Sequence, residues 1–283
     1  MPFLIDTHAH LNFAAFKKDV FEIIRKILYS NLWVINVGTK YETSKRAVEI
    51  AQEYEKGVWA TIGLHPLHLE TGLVKIKNDD EETEVKTKEE SFDYEKYKEL
   101  GKNSKVVAIG EIGLDYYWRP KTKRKKELLK QKQKDLLFQQ LQLAKELNLP
   151  VIFHCRMAHG DLIQFLKENE QVRPERAVAH GFVGTVKELK EYLNFGYYIG
   201  FNGIIFKNIE GIDFKENIKH TPLERILLET DCPYLIPPGF EEKRNNPLGL
   251  KIIGKYLAEI KKVSFEEIAE ITTENARRLF KLE

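Results

Sequence analysis

Four imidazoles and two carboxylates, His8, His10, Glu111, His154, His180 and Asp231, each stand just after a short apolar run. The runs are Phe3-Leu4-Ile5 before His8 and His10, Val106-Val107-Ala108-Ile109 before Glu111, Val151-Ile152-Phe153 before His154, Ala177-Val178-Ala179 before His180, and Ile226-Leu227-Leu228 before Asp231. If those runs are strands of one closed sheet, the six side chains converge at one end of it as a cage for two divalent metal ions, which is a hydrolase site. His8 and His10, two residues apart at a strand's end, face the same way and can hold one ion. A carboxylate buried like Glu111 costs several kcal/mol unless an arginine or a cation meets it. Its two oxygens can bridge two metals about 3.5 to 4 Å apart, and the flanking Gly110 and Gly113 permit close approach of neighbouring groups. His154 and His180 lie on adjacent strands and can complete a second ion's shell with Glu111. Asp231 falls beside the first strand once the barrel closes, where it can share an ion with His8 and His10 and orient the attacking water or accept its proton. Mixed imidazole and carboxylate donors suit Zn, Mn, Fe or, less comfortably, Mg.

Two further residues at the same mouth suit an anionic substrate. His65, in Gly63-Leu64-His65-Pro66, is expected to stand apart from both ligand groups and to donate a hydrogen bond to a phosphate oxygen. Arg156, two beyond His154 and so on its face, is a phosphate contact. His68, His159 and His220 lack comparable placement and read as ordinary surface residues. Tyr116, Tyr117 and Trp118 are placed to stack on the bases of a single strand. Lys121 to Lys134 holds eight Lys or Arg and one Glu, which suits either a phosphate backbone or a solvated helix face.

The elements that must position these groups follow from the spacing of apolar residues. Strand-like runs fall near residues 3–6, 32–37, 57–63, 105–110, 149–154, 176–180, 196–201 and 225–230. Helical stripes lie between them: Val20, Ile23, Ile24, Ile27 and Leu28; Ala47, Val48, Ala51 and Tyr54; and Leu129, Leu136, Leu137, Leu141, Ala144 and Leu147. Strict alternation of strand and helix predicts a parallel sheet wrapped in helices, and eight units point to a closed (β/α)8 TIM barrel. No glycine-rich phosphate loop follows the first strand, which argues against a doubly wound sheet. We expect one domain over residues 1–283 with extra C-terminal helices, marked by Leu250, Ile253 and Leu257 and by Ile268, Ile271, Ala276 and Leu279. Residues 75–99 read as a charged, solvated and partly disordered insertion leading into a helix.

Composition sets outer bounds. No apolar stretch approaches the roughly 20 residues that span a bilayer, and the start of the chain leads straight into a strand, so a cytoplasmic protein with no membrane partner is expected. Cys155 and Cys232 each follow a candidate ligand directly. Alternation turns Cys155 away from His154 toward the helices, Cys232 falls in a loop, and no disulfide is expected. A net charge of +2 conceals a high load of both signs, 45 basic and 43 acidic residues, a mixture that resembles thermophile surfaces.

These motifs together resemble the TatD family of metal-dependent deoxyribonucleases, within the amidohydrolase-like barrels. The resemblance is carried by Asp6-Thr7-His8-Ala9-His10, Gly63-Leu64-His65-Pro66, Gly110-Glu111-Ile112-Gly113-Leu114-Asp115, His154-Cys155-Arg156, His180-Gly181-Phe182, Glu229-Thr230-Asp231-Cys232-Pro233-Tyr234-Leu235, Arg244-Asn245-Asn246-Pro247 and Thr272-Thr273-Glu274-Asn275-Ala276. It implies two divalent ions, one on His8, His10, Glu111 and Asp231 and the other on Glu111, His154 and His180. It also implies hydrolysis of DNA, often as a 3′–5′ exonuclease acting on single strands or 3′ ends. Asn246 stands where the family usually has Glu, and the insertion near residues 75–99 is longer than typical; both are expected at the edge of the site. Oligomeric state is left open, a monomer being compatible.

Three rival readings remain. Relatives that cleave amides, lactones or phosphotriesters often bridge their metals with a modified lysine on the fourth strand, where Glu111 stands here. The same metals can serve an aminoacyl-tRNA ester. A non-catalytic nucleic-acid-binding protein would use the basic segment alone and leave the ligand set unexplained.

Overall fold

The computed structural model describes residues 2–69, 73, 81–82 and 90–283. Each predicted run forms a strand: β1 Leu4–Ala9, β2 Leu32–Val37, β3 Val58–Ile62, β4 Val106–Asp115, β5 Val151–Arg156, β6 Ala177–Ala179, β7 Tyr198–Phe201 and β8 Ile226–Leu228. They pair in chain order, every neighbour parallel. The edges are joined where β1 meets β8 and the turn after it: Thr7 Oγ1 donates to the Leu228 carbonyl at 3.0 Å, Asp231 N to His8 O at 2.8 Å, and His10 N to Cys232 O at 2.9 Å. The fold is therefore a TIM barrel, as expected.

The helices are α1 Val20–Tyr29, α2 Tyr41–Gln52, α3 Tyr94–Gly101, α4 Lys123–Glu146, α5 His159–Glu168, α6 Val186–Asn194, α7 Phe214–His220, α8 Leu250–Lys261 and α9 Phe265–Phe280. Among the described residues, none is long and apolar enough to cross a membrane. The core has two parts, as alternation along a barrel strand requires. One cluster joins strand residues such as Leu4, Val34, Ile109 and Phe153 to the helices. The other joins Ile5, Ile35, Trp59, Val107, Ile152, Tyr198 and Leu227 to Ala276, Leu279 and Phe280, so α9 closes the barrel end opposite the site. Asn275 explains part of the Thr272–Ala276 motif, because its amide donates to the carbonyls of Leu223 and Ile226 at 2.8 and 2.9 Å.

The strands that carry the candidate ligands depart from regular pairing. The register shifts between Asp6 and Ala9 in β1 and between Ile109 and Ile112 in β4, where His8 and Glu111 sit; such irregularities re-aim side chains beside active sites. β4 then resumes pairing with β5 from Ile112↔Phe153 to Asp115↔Arg156, so it runs five residues past its predicted end. Glu111 is thus within the strand and not at its tip. Gly113 is required there, since a Cβ would run into the carbonyl oxygen of His154, and at Gly110 one would lie 2.6 Å from Ile152 Cβ.

The charged segment predicted over residues 75–99 lies partly outside the described residues. Its closing helix is α3. Glu82 overturns the expectation of solvation, being buried and held by Thr39 Oγ1 at 2.5 Å, His68 Nε2 at 2.9 Å and Lys40 Nζ at 3.7 Å. Those donors offset the cost of burying a carboxylate. The backbone carbonyls of Glu81 and Glu82 accept from Ala15 and Ala14, which seats this stretch on the barrel rim. Cys155 and Cys232 are buried and unbridged, Cys155 among the helix-facing residues as alternation predicts.

Candidate metal centre

Glu111 is the hub of the convergence. Its Oε2 lies 3.5 Å from His8 Nε2 and 3.9 Å from His10 Nε2. Its Oε1 lies 2.6 Å from His154 Nδ1, 3.7 Å from His180 Nε2 and 3.6 Å from His65 Nε2. Asp231 Oδ1 closes the ring from β8, 3.3 Å from His10, 3.8 Å from His8 and 4.0 Å from His180. All six candidates drawn from the sequence are brought together. Their donor atoms form overlapping groups, His8 with His10 and Glu111, His8 with His180 and Asp231, and Glu111 with His65 and His154, each within 4.8 Å. The two oxygens of Glu111 face different neighbours, Oε2 toward His8 and His10 and Oε1 toward His154 and His65, while His180 lies between them, stacked on His8.

The second nitrogen of each ring says what the first can do. His10 Nδ1 bonds to the Val37 carbonyl at 2.9 Å and His154 Nε2 to Asp115 Oδ2 at 3.0 Å, while His180 Nδ1 lies 2.9 Å from Glu229 Oε1 as an ion pair without hydrogen-bond geometry. An acceptor at one nitrogen keeps its hydrogen there and leaves the other nitrogen's lone pair for a cation. His8 and His10 point Nε2 at Nε2 across 3.2 Å, a contact that suits two lone pairs shared with a cation. His65 has the opposite wiring, because Leu67 N donates to its Nδ1 at 3.1 Å. Its neutral ring therefore carries the hydrogen on Nε2 and faces the centre as a donor.

The electrostatics agree with this sorting. Burial opposes ionisation of Glu111, yet His65 and His154 outweigh it and hold the carboxyl well below its ordinary value. Burial likewise opposes ionisation of Asp231, and His10 and His180 bring it below the usual range. Burial, helped by the charge of His154, lowers His65 to about 4, so its ring is neutral at pH 7. Burial also disfavours charge on His154, but Asp115 and Glu111 raise it to about 9. A divalent cation competes with that proton for Nδ1.

Three residues that the sequence reading did not single out support the cage. Asp115 Oδ2 receives both His154 Nε2 and Arg156 Nε, the latter at 2.8 Å. Glu229 holds His180 and also accepts from Gly181 N at 2.5 Å and Asn202 Nδ2 at 3.3 Å. Asp6 accepts from His8 N at 3.2 Å, Thr230 N at 3.0 Å and Thr230 Oγ1 at 2.5 Å, tying the first ligand strand to the loop of Asp231. Asp231 itself has φ +56°, a left-handed conformation that costs a non-glycine residue about 1–3 kcal/mol. The signal in the sequence was the acid itself, two or four residues from a candidate ligand.

Other expectations need correction. His65 is not apart from the ligands, since the loop after β3 brings its ring within 4.2 Å of the His154 ring. His159 is buried, bonded to Tyr192 Oη at 2.9 Å and the Val183 carbonyl at 3.0 Å, because α5 starts against α6. His68 meets Glu82, whereas His220 is exposed on α7 as read. Tyr116 is buried beneath Lys130 and offers no free face, unlike Tyr117 and Trp118. Asn246 is buried too, its side chain accepting from Leu248 N at 3.0 Å. The centre opens into a cavity of about 1430 Å³ whose walls include Glu111, Asp231, Arg156, Tyr117, Trp118 and Glu82.

The TatD related DNase family matches residues 5–281. The chain is 39% identical over 281 residues to an uncharacterized metal-dependent hydrolase, YabD, of Bacillus subtilis, covering 99% of each. It is 32% identical over 284 residues to a protein named 3′-5′ ssDNA/RNA exonuclease TatD from Yersinia pseudotuberculosis, covering 99% of this chain and 100% of that one. Among solved structures, the TatD homolog YJJV of Escherichia coli K12 superposes with a TM-score of 0.81 at 30% identity, with 99% of each chain covered.

Proposed function

The chain belongs to the TatD-related DNase family and is a metal-dependent hydrolase, and on that premise we propose that it hydrolyses phosphodiester bonds of DNA, as a 3′–5′ exonuclease, with two divalent cations. One barrel over the whole chain is the working unit. His8, His10, Glu111 and Asp231 would hold one ion, and Glu111, His154 and His180 would hold the other. The observation that carries this reading is the wiring of the rings: His10 and His154 each give one nitrogen to an acceptor and turn the other toward Glu111, and His180 turns its Nε2 there with the Glu229 carboxylate 2.9 Å from its Nδ1. The buried His8 Nδ1 has no hydrogen-bond partner among the described residues. The donor set fits Zn, Mn or Fe better than Mg.

When bound, such cations supply Lewis acidity and lower the pKa of water. Asp231 is placed to take the proton of the attacking water, since its side chain is 20% exposed toward the cavity and that of Glu111 only 6%. His65 Nε2–H and the guanidinium of Arg156 bind the non-bridging phosphate oxygens, and Asp115 fixes the orientation of Arg156. The water oxygen bonds to phosphorus in line as the bond to the leaving alcohol oxygen breaks.

The test is incubation of the purified protein with 5′-end-labelled single- and double-stranded DNA and with RNA, supplied in turn with Zn, Mn, Mg or Fe, or with EDTA. Progressive shortening from the 3′ end that EDTA abolishes is expected, and Glu111→Ala should lose it while remaining folded by circular dichroism. Cleavage that survives EDTA or the Glu111 substitution would overturn the reading.

A further inference from the structure

Resting on the nuclease reading, we infer that the cavity wall formed by Tyr117, Trp118, Arg156 and Met157, continued by the basic start of α4, is the track on which a single-stranded polynucleotide approaches the cage. Tyr117, Trp118 and Met157 are 54%, 36% and 59% exposed, although each is large and apolar. They line the same cavity as Glu111 and His154. The Tyr117 and Trp118 rings meet edge to face with centroids 5.4 Å apart, and the Arg156 guanidinium lies 4.4 Å from the Tyr117 ring. Arg156 is itself fixed on Asp115, which also holds His154. The exposed aromatic faces are therefore tied through two side chains to the reacting centre.

The charge that follows this wall along the chain says what covers it. Lys121, Lys123, Arg124, Lys125 and Lys126 fall within six residues, and the first turn of α4 has no acidic residue. A helix N-terminus carries the positive end of the macrodipole, so cations gathered there repel both one another and the helix. Farther along the helix, Lys130 and Lys134 share one carboxylate, Asp161, at 3.4 and 3.6 Å. The leading five side chains make no ion pair with any described residue. Unopposed charge that follows exposed aromatic faces in the chain complements a polyanion with free π-surfaces, which describes single-stranded nucleic acid. Bases inside a duplex are already stacked and cannot offer those faces.

The experiment compares the native enzyme with Tyr117→Ala/Trp118→Ala and, separately, with Lys123→Ser/Arg124→Ser/Lys125→Ser. The substrates are a short single-stranded oligonucleotide and methyl p-nitrophenyl phosphate, a small diester with no polynucleotide chain to lie along Tyr117 and Trp118. Removing both rings should lower the ratio of kcat/KM for the oligonucleotide over that for the small diester by about 10- to 100-fold, mainly through KM. The serine variant should flatten the dependence of oligonucleotide KM on salt. An equal loss on both substrates, or no loss on the oligonucleotide, overturns the inference. Binding is read independently in a Glu111→Ala background by the fluorescence anisotropy of a labelled oligonucleotide. If the native protein cleaves no phosphodiester but binding still needs Tyr117 and Trp118, the nuclease reading fails and the track stands; if binding ignores them, for instance because a protein partner covers the wall, the track fails.

Discussion

Around the cage, inward-facing rings are held from behind: His10 by Val37, His154 by Asp115 and His180 by Glu229. Across the same cavity, Tyr117, Trp118 and Met157 face solvent, with Arg156 and the Trp118 ring packed on the Tyr117 ring. The difference separates two tasks. Positioning donor atoms to within a few tenths of an ångström needs buried, satisfied and over-determined side chains. Gripping a substrate of variable sequence needs exposed faces that accept any base. Substitutions in the two regions should therefore fail in different ways.

The largest effect is expected at the hub. Glu111→Gln keeps the shape but removes the charge that the two proposed ions share, so kcat on oligonucleotide and on small diester should fall together by ~10³-fold or more. Elemental analysis should find less than the full complement of metal. A fall confined to the oligonucleotide would erase the distinction between cage and wall.

Next come the residues behind the rings. Asp115→Asn and Glu229→Gln should each weaken metal binding by about 10- to 100-fold, so that activity returns when metal is raised. The two differ in one respect. Asp115 also carries Arg156, so its variant should keep a raised KM at saturating metal, while Glu229→Gln should recover fully. Combining Glu229→Gln with Tyr117→Ala/Trp118→Ala sharpens the comparison further: cage and wall acting independently predict multiplied effects, and a marked departure would mean that the wall helps build the cage.

The two regions also differ in how legible they were. Each candidate ligand followed an apolar run, and a barrel necessarily gathers the carboxyl ends of its strands, so His8, His10, Glu111, His154, His180 and Asp231 could be read together. The place of Glu111 within its strand could not, because it depends on the register shift between Ile109 and Ile112. The nearness of His65 escaped because a loop's path is not written in its spacing. The roles of Asp115 and Glu229 depend on which ring nitrogen faces inward, which no sequence specifies. On the wall, residue types suggested base stacking, but only packing separates buried Tyr116 from its exposed neighbours.

Glu82 belongs to neither region and tests the boundary between them. It comes from a stretch whose composition predicts solvent, yet it is buried at the cavity edge on His68, Thr39 and Lys40. Burial alone would raise its pKa, but the hydrogen bond and charge of His68 and the charge of Lys40 outweigh burial and lower it to about 2. A carboxyl whose pKa is lower in the folded than in the unfolded chain stabilises the fold above the unfolded value, near 4.5, and loses that contribution as pH falls toward the folded one. Glu82→Gln should therefore cost ~1–3 kcal/mol near neutral pH, with little change in kcat. The difference in Tm between native protein and variant should be widest above about pH 5 and narrow steadily below it. A difference that is constant across this range would mean that the side chain acts through its shape, and a large fall in kcat would move Glu82 into the working site.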